Sequence, residues 1–196
     1  MNKPRPCLIL IDMQKCMANP AAGSRNNPRA EENIAQLLHA WRADAANVVH
    51  VRHISRSAAS LFAPGQSGVE FQDALRPLPH EHVVEKNVPD AFINTALERW
   101  LRVRDLNRIV LVGVSTNNSV EASARTAGNL GFGTVVVSDA TFAFAMKDYA
   151  GRMRSADEVH AMSLANLSGD YATIVDTRMV LDELAAEIGQ SGGTIA

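Results

Sequence analysis

The chain has 196 residues, enough for one domain around a single large core and short for two. Its 46% hydrophobic and 20% charged residues are those of an ordinary soluble globular protein, and 19 basic against 21 acidic side chains leave a net charge of −2. That balance gives no electrostatic footing for nucleic acid or an anionic membrane surface, so neither is expected as a partner.

Short β-rich runs alternate with longer helical patterns along the whole chain, which is the signature of βαβ units and a parallel sheet. Residues 1–6 lead into the first strand, Cys7–Ile11, without the apolar stretch of a signal peptide. Asp12 stands at the carboxyl end of that strand. A loop rich in Asn, Gly and Pro follows over residues 18–28, and Ile34, Leu37, Leu38 and Trp41 recur at helical spacing within residues 30–45. Residues 47–52 read as the second strand. From 55 to 79 there is little periodicity and much Pro, Gly and Ser, and a loop of that length in a compact domain is commonly a functional lid.

Residues 82–85 form a third, short strand with Lys86 at its end, and Thr95 opens a helix with Leu97, Trp100 and Leu101 inward. The fourth strand, Arg108–Val114, is the most apolar, and a helix over 118–130 closes at Gly131. Residues 134–138 give the fifth strand and 139–151 a polar and aromatic loop. Ser155 caps a helix through Asn166, with Glu158 completing a capping box. Residues 171–175 are the sixth strand, 177–188 the last helix, and 189–196 a frayed tail. The longest apolar runs, 109–114 and 134–137, are strand-length and far below a membrane span. Cys7 and Cys16 make no disulfide framework, so reduced thiols and a cytoplasmic location are expected.

These elements predict a three-layer α/β/α domain over residues 1–196, with a core at about 7–188 and a six-stranded parallel, Rossmann-like sheet in the order 3-2-1-4-5-6. Ligands of such sheets bind at the carboxyl ends of the strands. Asp12, Lys86 and Ser119 all fall there, Ser119 in the turn Gly113-Val-Ser-Thr-Asn-Asn-Ser119 that leads from strand four into a helix. The turn lacks the glycine spacing that cradles a phosphate, which sets a nucleotide site aside. A helix N-terminus behind Ser119 favours developing negative charge. Each residue also has a plainer reading: Asp12 as a loop cap, Lys86 as a surface lysine, Ser119 as an N-terminal helix residue. Their convergence favours a site.

The blocks Leu8-Ile-Leu-Ile-Asp12-Met-Gln14, Lys86 followed by Ala91-Phe92, and Gly113-Val-Ser-Thr-Asn-Asn-Ser119-Val-Glu-Ala-Ser-Ala-Arg125 resemble the isochorismatase-like, or cysteine hydrolase, superfamily. The resemblance runs from about residue 7 to about 185. It implies a hydrolase with an Asp-Lys-nucleophile triad at Asp12, Lys86 and Ser119. It also implies a cis peptide between Val114 and Ser115, aiming the N–H groups of Ser115 and Ser119 at one point as an oxyanion hole. A homodimer or homotetramer acting on a small molecule is implied as well.

Two departures from the family pattern matter. Amide-cleaving members carry Cys where this chain has Ser119, and a hydroxyl needs a well-placed general base, here Asp12. Ser119 therefore reads as a nucleophile, as a pocket residue beside an Asp-driven vinyl ether hydrolysis, or as a replacement of the family Cys in a catalytically silent small-molecule-binding homologue. The stretch His50-Val-Arg-His53-Ile-Ser also lacks the Asp-x-His pattern of metal-dependent relatives, so no metal and no other cofactor is expected.

Around the triad, Gln14, Phe62, Phe92 and Asn117 are expected to contact substrate, with Phe71 a further aromatic of the wall. Cys16, just past Asp12, is a second nucleophile candidate or a buried filler. Arg56 and Arg76 in the lid are anion-attracting or plain surface charges, and His160 is read as a structural histidine.

Overall fold

In the computed structural model, which describes residues 5–191, every residue of Cys7–Ile11 (β1) is buried. Cys7, Ile9 and Ile11 enter one core, and Leu8 and Leu10 the other. Such a strand is covered on both faces, which is why it reads as a continuous apolar run. Around it lie α1 (Ala30–Ala43), β2 (Val48–His53), β3 (His82–Lys86), α2 (Leu97–Arg102), β4 (Arg108–Val114), α3 (Glu121–Asn129) and β5 (Gly133–Phe142). The chain ends in a two-stranded hairpin, β6 (Met146–Lys147) and β7 (Met153–Arg154), then α4 (Ala156–Leu167), β8 (Thr173–Val175) and α5 (Thr177–Ser191).

The main sheet is parallel, in the order β3-β2-β1-β4-β5-β8. This is the expected 3-2-1-4-5-6, the sixth strand carrying a later number because the hairpin precedes it. Helices α1 and α5 cover one face through Ile34, Leu37, Leu38, Trp41, Val180 and Leu184. Helices α2, α3 and α4 cover the other through Leu97, Leu101, Ala124, Ala127 and Leu167. The result is the three-layer α/β/α domain.

Several boundaries differ from the sequence expectation. Strand β5 continues to Phe142, because a register shift between Leu111 and Gly113 lets Gly113 pair with Thr141. An irregularity of this kind bends a strand and prolongs it past its apolar run. The helix expected from 118 starts as a π-helical turn, Thr116–Val120, and becomes α-helical at Glu121. Trp100 is half-buried and stacks on His82 at 4.5 Å, whereas Leu97 and Leu101 are buried as expected. Strand β8 is shorter than 171–175, and α5 runs through Ser191; the rest of the expected tail, 192–196, lies outside the described residues.

The long stretch 55–79 holds two 3-10 turns, Ser67–Val69 and Asp73–Leu75. It is stitched to the loop after β1: Lys15 N–H donates to the Glu70 carbonyl at 2.8 Å, and Gln72 N–H to the Met13 carbonyl at 3.1 Å. Leu75 is fully buried in the core beneath α1. No helix among the described residues is long and apolar enough to cross a membrane.

Candidate active site

Asp12 leaves β1 with φ at +52°, a left-handed conformation that Asp tolerates better than most residues. Its N–H is held by the Val51 carbonyl at 2.9 Å, so the turn is fixed to β2. Next to it, β4 approaches β1 closely at Gly113. A Cβ there would lie 2.1 Å from the Ile11 carbonyl oxygen, and φ is +117°, so only glycine fits. Lys86 is the last residue of β3, and Ser119 lies in the π-helical turn that follows β4.

These three side chains meet. Lys86 Nζ donates to Asp12 Oδ2 at 2.7 Å and to Ser119 Oγ at 3.1 Å. All three residues are buried, at 4%, 3% and 6% exposure for Asp12, Lys86 and Ser119. Burial raises the Asp12 pKa above the ordinary carboxylate value, although the Lys86 charge and hydrogen bond, the Ser119 hydroxyl and His53 all pull the other way. Asp12 Oδ1 is buried with no hydrogen-bond partner. The carboxylate therefore has one oxygen committed to Lys86 and one free.

The peptide joining Val114 to Ser115 is cis. Beyond it, Val120 N–H donates to the Ser115 carbonyl at 3.2 Å and Asn118 N–H to the same oxygen at 3.0 Å. The turn is gripped from α4: Thr116 Oγ1 lies 2.8 Å from His160 Nδ1, and Ser163 Oγ donates to the Thr116 carbonyl at 2.9 Å. Ser123, one helical turn after Ser119, donates to the Ser119 carbonyl at 2.7 Å and accepts the Ala91 N–H at 2.9 Å. That hydroxyl ties the Ser119 turn to the segment after Lys86.

The expected substrate contacts fare unequally. Gln14 is fully buried and spends its whole amide on the backbone. Its Nε2 donates to the His53 and Val69 carbonyls at 3.0 and 2.9 Å, and its Oε1 accepts the His53 N–H at 2.8 Å. It is a strut between three loops, with both amide hydrogens committed to backbone carbonyls. Phe92 packs in the core against Phe132, ring centroids 5.9 Å apart, because Asp90 Oδ1 accepts its N–H and turns the chain inward. Phe62 is half-buried and meets the His53 ring edge-on at 5.3 Å, beside the triad. Phe71 instead meets His50, on the opposite face of β2.

Asn117 faces away from the triad. It accepts from Ser115 Oγ at 3.0 Å and lines a groove of about 750 Å³ with Glu121, Met146, Met162 and Asn166. Cys16 is buried, and burial pushes its thiol up to about 11, so it is no thiolate at neutral pH. Arg76 pairs with Asp73 on the surface. Among the described residues no group of three His, Cys, Asp or Glu side chains could hold a metal ion. His50 is instead committed to Glu81 at 2.8 Å.

Two residues gain importance that the sequence reading did not give them, whereas His160 holds the turn as the structural histidine it was read to be. Ser123 carried the i, i+4 spacing from Ser119, a usable signal. His53 carried none, since its neighbours come from distant strands and turns.

Residues 6–179 match the family model described as the isochorismatase domain. The uncharacterized isochorismatase family protein YrdC of Bacillus subtilis (strain 168) is 36% identical over 179 residues, covering 91% of this chain and 96% of that protein. Ureidoacrylate amidohydrolase RutB of Acinetobacter baylyi is 32% identical over 118 residues, 60% of this chain and 44% of that one. A crystal structure of an isochorismatase-family protein from Chromobacterium violaceum ATCC 12472 superposes with a TM-score of 0.92 at 46% identity, covering 95% of this chain and 96% of the other.

Proposed function

The chain belongs to the isochorismatase family, and from that premise we propose that it is a hydrolase cleaving a C–N bond in a small amide, carbamoyl or related molecule. The observation that carries this reading is Lys86 Nζ lying between Asp12 Oδ2 and Ser119 Oγ, with all three residues buried. Likeness to a ureidoacrylate amidohydrolase supports the choice of bond.

In this reading Asp12 accepts the Ser119 proton as Ser119 Oγ attacks the substrate carbonyl carbon. The N–H groups of Ser115 and Ser119 hold the oxygen that becomes negative, Ser119 at the first turn of a helix where N–H groups lack intrahelical acceptors. As the C–N bond breaks, Asp12 passes its proton to the leaving nitrogen, and an acyl ester on Ser119 remains. Water cleaves that ester, its proton returning to Ser119 Oγ by way of Asp12. Lys86 orients both partners and offsets the charge on the carboxylate.

A second reading rests on the raised pKa of Asp12, which favours a carboxyl group that holds a proton. Asp12 would then act as the acid in a non-covalent, vinyl ether type of hydrolysis, and Ser119 would only line the pocket. Screening small amides, ureas and vinyl ethers against the unaltered protein, Ser119→Ala and Asp12→Asn separates the cases. Loss of activity in both variants supports Ser119 as nucleophile. Loss in Asp12→Asn alone supports the acid mechanism, and turnover of no compound leaves a binding protein. We also propose a homodimer or homotetramer, and a cytoplasmic location in which Cys7 and Cys16 remain the free thiols seen in the structure.

A further inference from the structure

The connection from β5 to α4 runs from Ala143 to Ser155, far longer than the about 2–6 residues that a strand needs to reach its next helix. The excess is folded. Met146 pairs with Arg154 and Lys147 with Met153 in a two-stranded sheet of their own, apart from the main one. Asp148 closes the tip: its Oδ1 accepts the Ala150 and Arg152 N–H groups at 3.0 Å each, and its Oδ2 accepts Arg154 Nε at 2.9 Å. A two-stranded hairpin is marginal by itself in water, and these side-chain bonds keep it in one shape. Its root is tied to the Ser119 turn, where Asn117 Nδ2 donates to Met146 Sδ at 3.3 Å.

What this arm carries is apolar. Tyr149, at the tip, is fully exposed, and Met146 and Met153 on the strands are 46% and 65% exposed. Beside them Met162, on the outer face of α4, is 64% exposed. Single exposed apolar side chains are ordinary, but Met146 and Met162 line one groove, the one of about 750 Å³. Tyr and Met are enriched at protein interfaces, Tyr because a stiff ring covers much area at little entropic cost. Charge sorts on the same surface. Lys147 and Arg152 stand exposed on the arm, and Asp157 and Glu158 stand exposed where α4 begins. Glu158 meets Arg154 of its own chain only at 3.6 Å.

A partner of another sequence would need only the projecting ring or only the groove. One surface bearing both, with both signs of charge, is what a two-fold axis requires, since each copy then gives and receives the same contact. We propose that the β6–β7 arm and the α4 groove form the interface of a two-fold homodimer, with Tyr149 of each copy seated in the groove of the other between Met146 and Met162. This names a surface for the homo-oligomer proposed above and rests on that reading, independently of the hydrolysis. Asn117 lines the groove and accepts from Ser115 Oγ, so the interface lies directly behind the turn that carries Ser119.

Sedimentation velocity of the unaltered protein across a range of concentrations is expected to show a dimer or a multiple of one. Tyr149→Ala should weaken that association about thirtyfold, the scale of truncating an interface anchor. Met162→Glu, which sets a charge in the groove, should weaken it at least as much. Met179→Glu on α5 and Val103→Glu just past α2, at residues 55% and 69% exposed, should change nothing. Far-UV circular dichroism verifies that each variant folds. The seating is read by mixing Tyr149→Cys protein with Met162→Cys protein, allowing subunit exchange, and adding a short bismaleimide. The mixed pair should cross-link more than either protein alone, with Cys7 and Cys16 shielded by burial.

A monomeric parent overturns both this interface and the homo-oligomer reading, and leaves the groove to another partner. An oligomer that Tyr149→Ala and Met162→Glu leave intact, or that the two control substitutions disrupt as strongly, overturns this interface alone. A mixed pair that cross-links no more than the single proteins overturns the seating of Tyr149.

Discussion

Lys86 Nζ sits 2.7 Å from Asp12 Oδ2 although the two residues are 74 positions apart, and the side chains are 0% and 5% exposed. An ion pair so enclosed is far more costly to break than to keep, because removing one partner strands the other charge in a dry site. Lys86→Met should therefore lower stability by about 3–5 kcal/mol. The double variant Asp12→Asn, Lys86→Met should recover part of that loss, since no unpaired charge remains. Urea denaturation of the three proteins measures both effects. A Lys86→Met protein as stable as the parent would rule out the buried pair.

The direction of the pH profile separates the two mechanisms. Burial raises the Asp12 pKa above its ordinary value. If Asp12 is a general base, kcat/KM rises with pH through that elevated pKa; if it is the acid, kcat/KM falls through it. A rising limb is expected. His53, whose pKa is lowered, gains its proton on the same acid side and faces Lys86 and Asp12. Comparing His53→Asn with the parent shows which part of the limb belongs to Asp12.

Ser123→Ala removes the bond to the Ser119 carbonyl and leaves the Ala91 N–H without its acceptor in a buried place. The loss should be about 1–3 kcal/mol in stability. Turnover should fall with it, because the same hydroxyl aligns the turn that carries Ser119. Thermal unfolding and kcat measured on one preparation test this, and a variant with full activity would show that Ser123 does not set the turn.

Acid sensitivity is expected from Glu81, far from the triad. Its carboxylate accepts from Arg42 Nε and Nη2, His50 Nε2 and the Leu78 N–H. Burial pushes its pKa up, but these donors win and hold it at about 2, below the ordinary 4.5. The folded pKa is depressed, so the stabilisation is complete above 4.5 and is lost as pH falls toward 2. Its size is about 2–3 kcal/mol. Neutral, buried His50 works in the same direction, since it must take up a proton on acidification. Glu81→Gln should be less stable at pH 7 and show a flatter stability curve between pH 4.5 and 2 in urea titrations.

Much of this molecule was legible as sequence for local reasons. The apolar runs of β1 and β4 needed no neighbour to be recognised, and the Ser155–Glu158 capping box formed as read, with both reciprocal bonds. Gly131, at φ +80°, closes α3 as its position after the helical pattern suggested. Alternation of strand and helix, with right-handed crossovers, was enough for the sheet order. The resemblance supplied the pairing of Asp12, Lys86 and Ser119, and the distances agree with their convergence.

Other features were decided only by the tertiary structure. Gln14 and Phe92 looked like ligand contacts because polar and aromatic residues near a site invite that reading. Their roles depend on whether backbone groups or core side chains reach them first, and here they do. The lengthened β5 follows from a register shift against β4, which no property of residues 139–142 announces. Whether a histidine is inert or stands beside a triad depends on strand register, so His53 gave no sign of itself in the chain. Periodicity and turn chemistry act between residues close in sequence, and they determined the elements and their order. Hydrogen-bond commitment, burial and charge act between residues close in space, and they alone decided which side chains are free to meet a substrate.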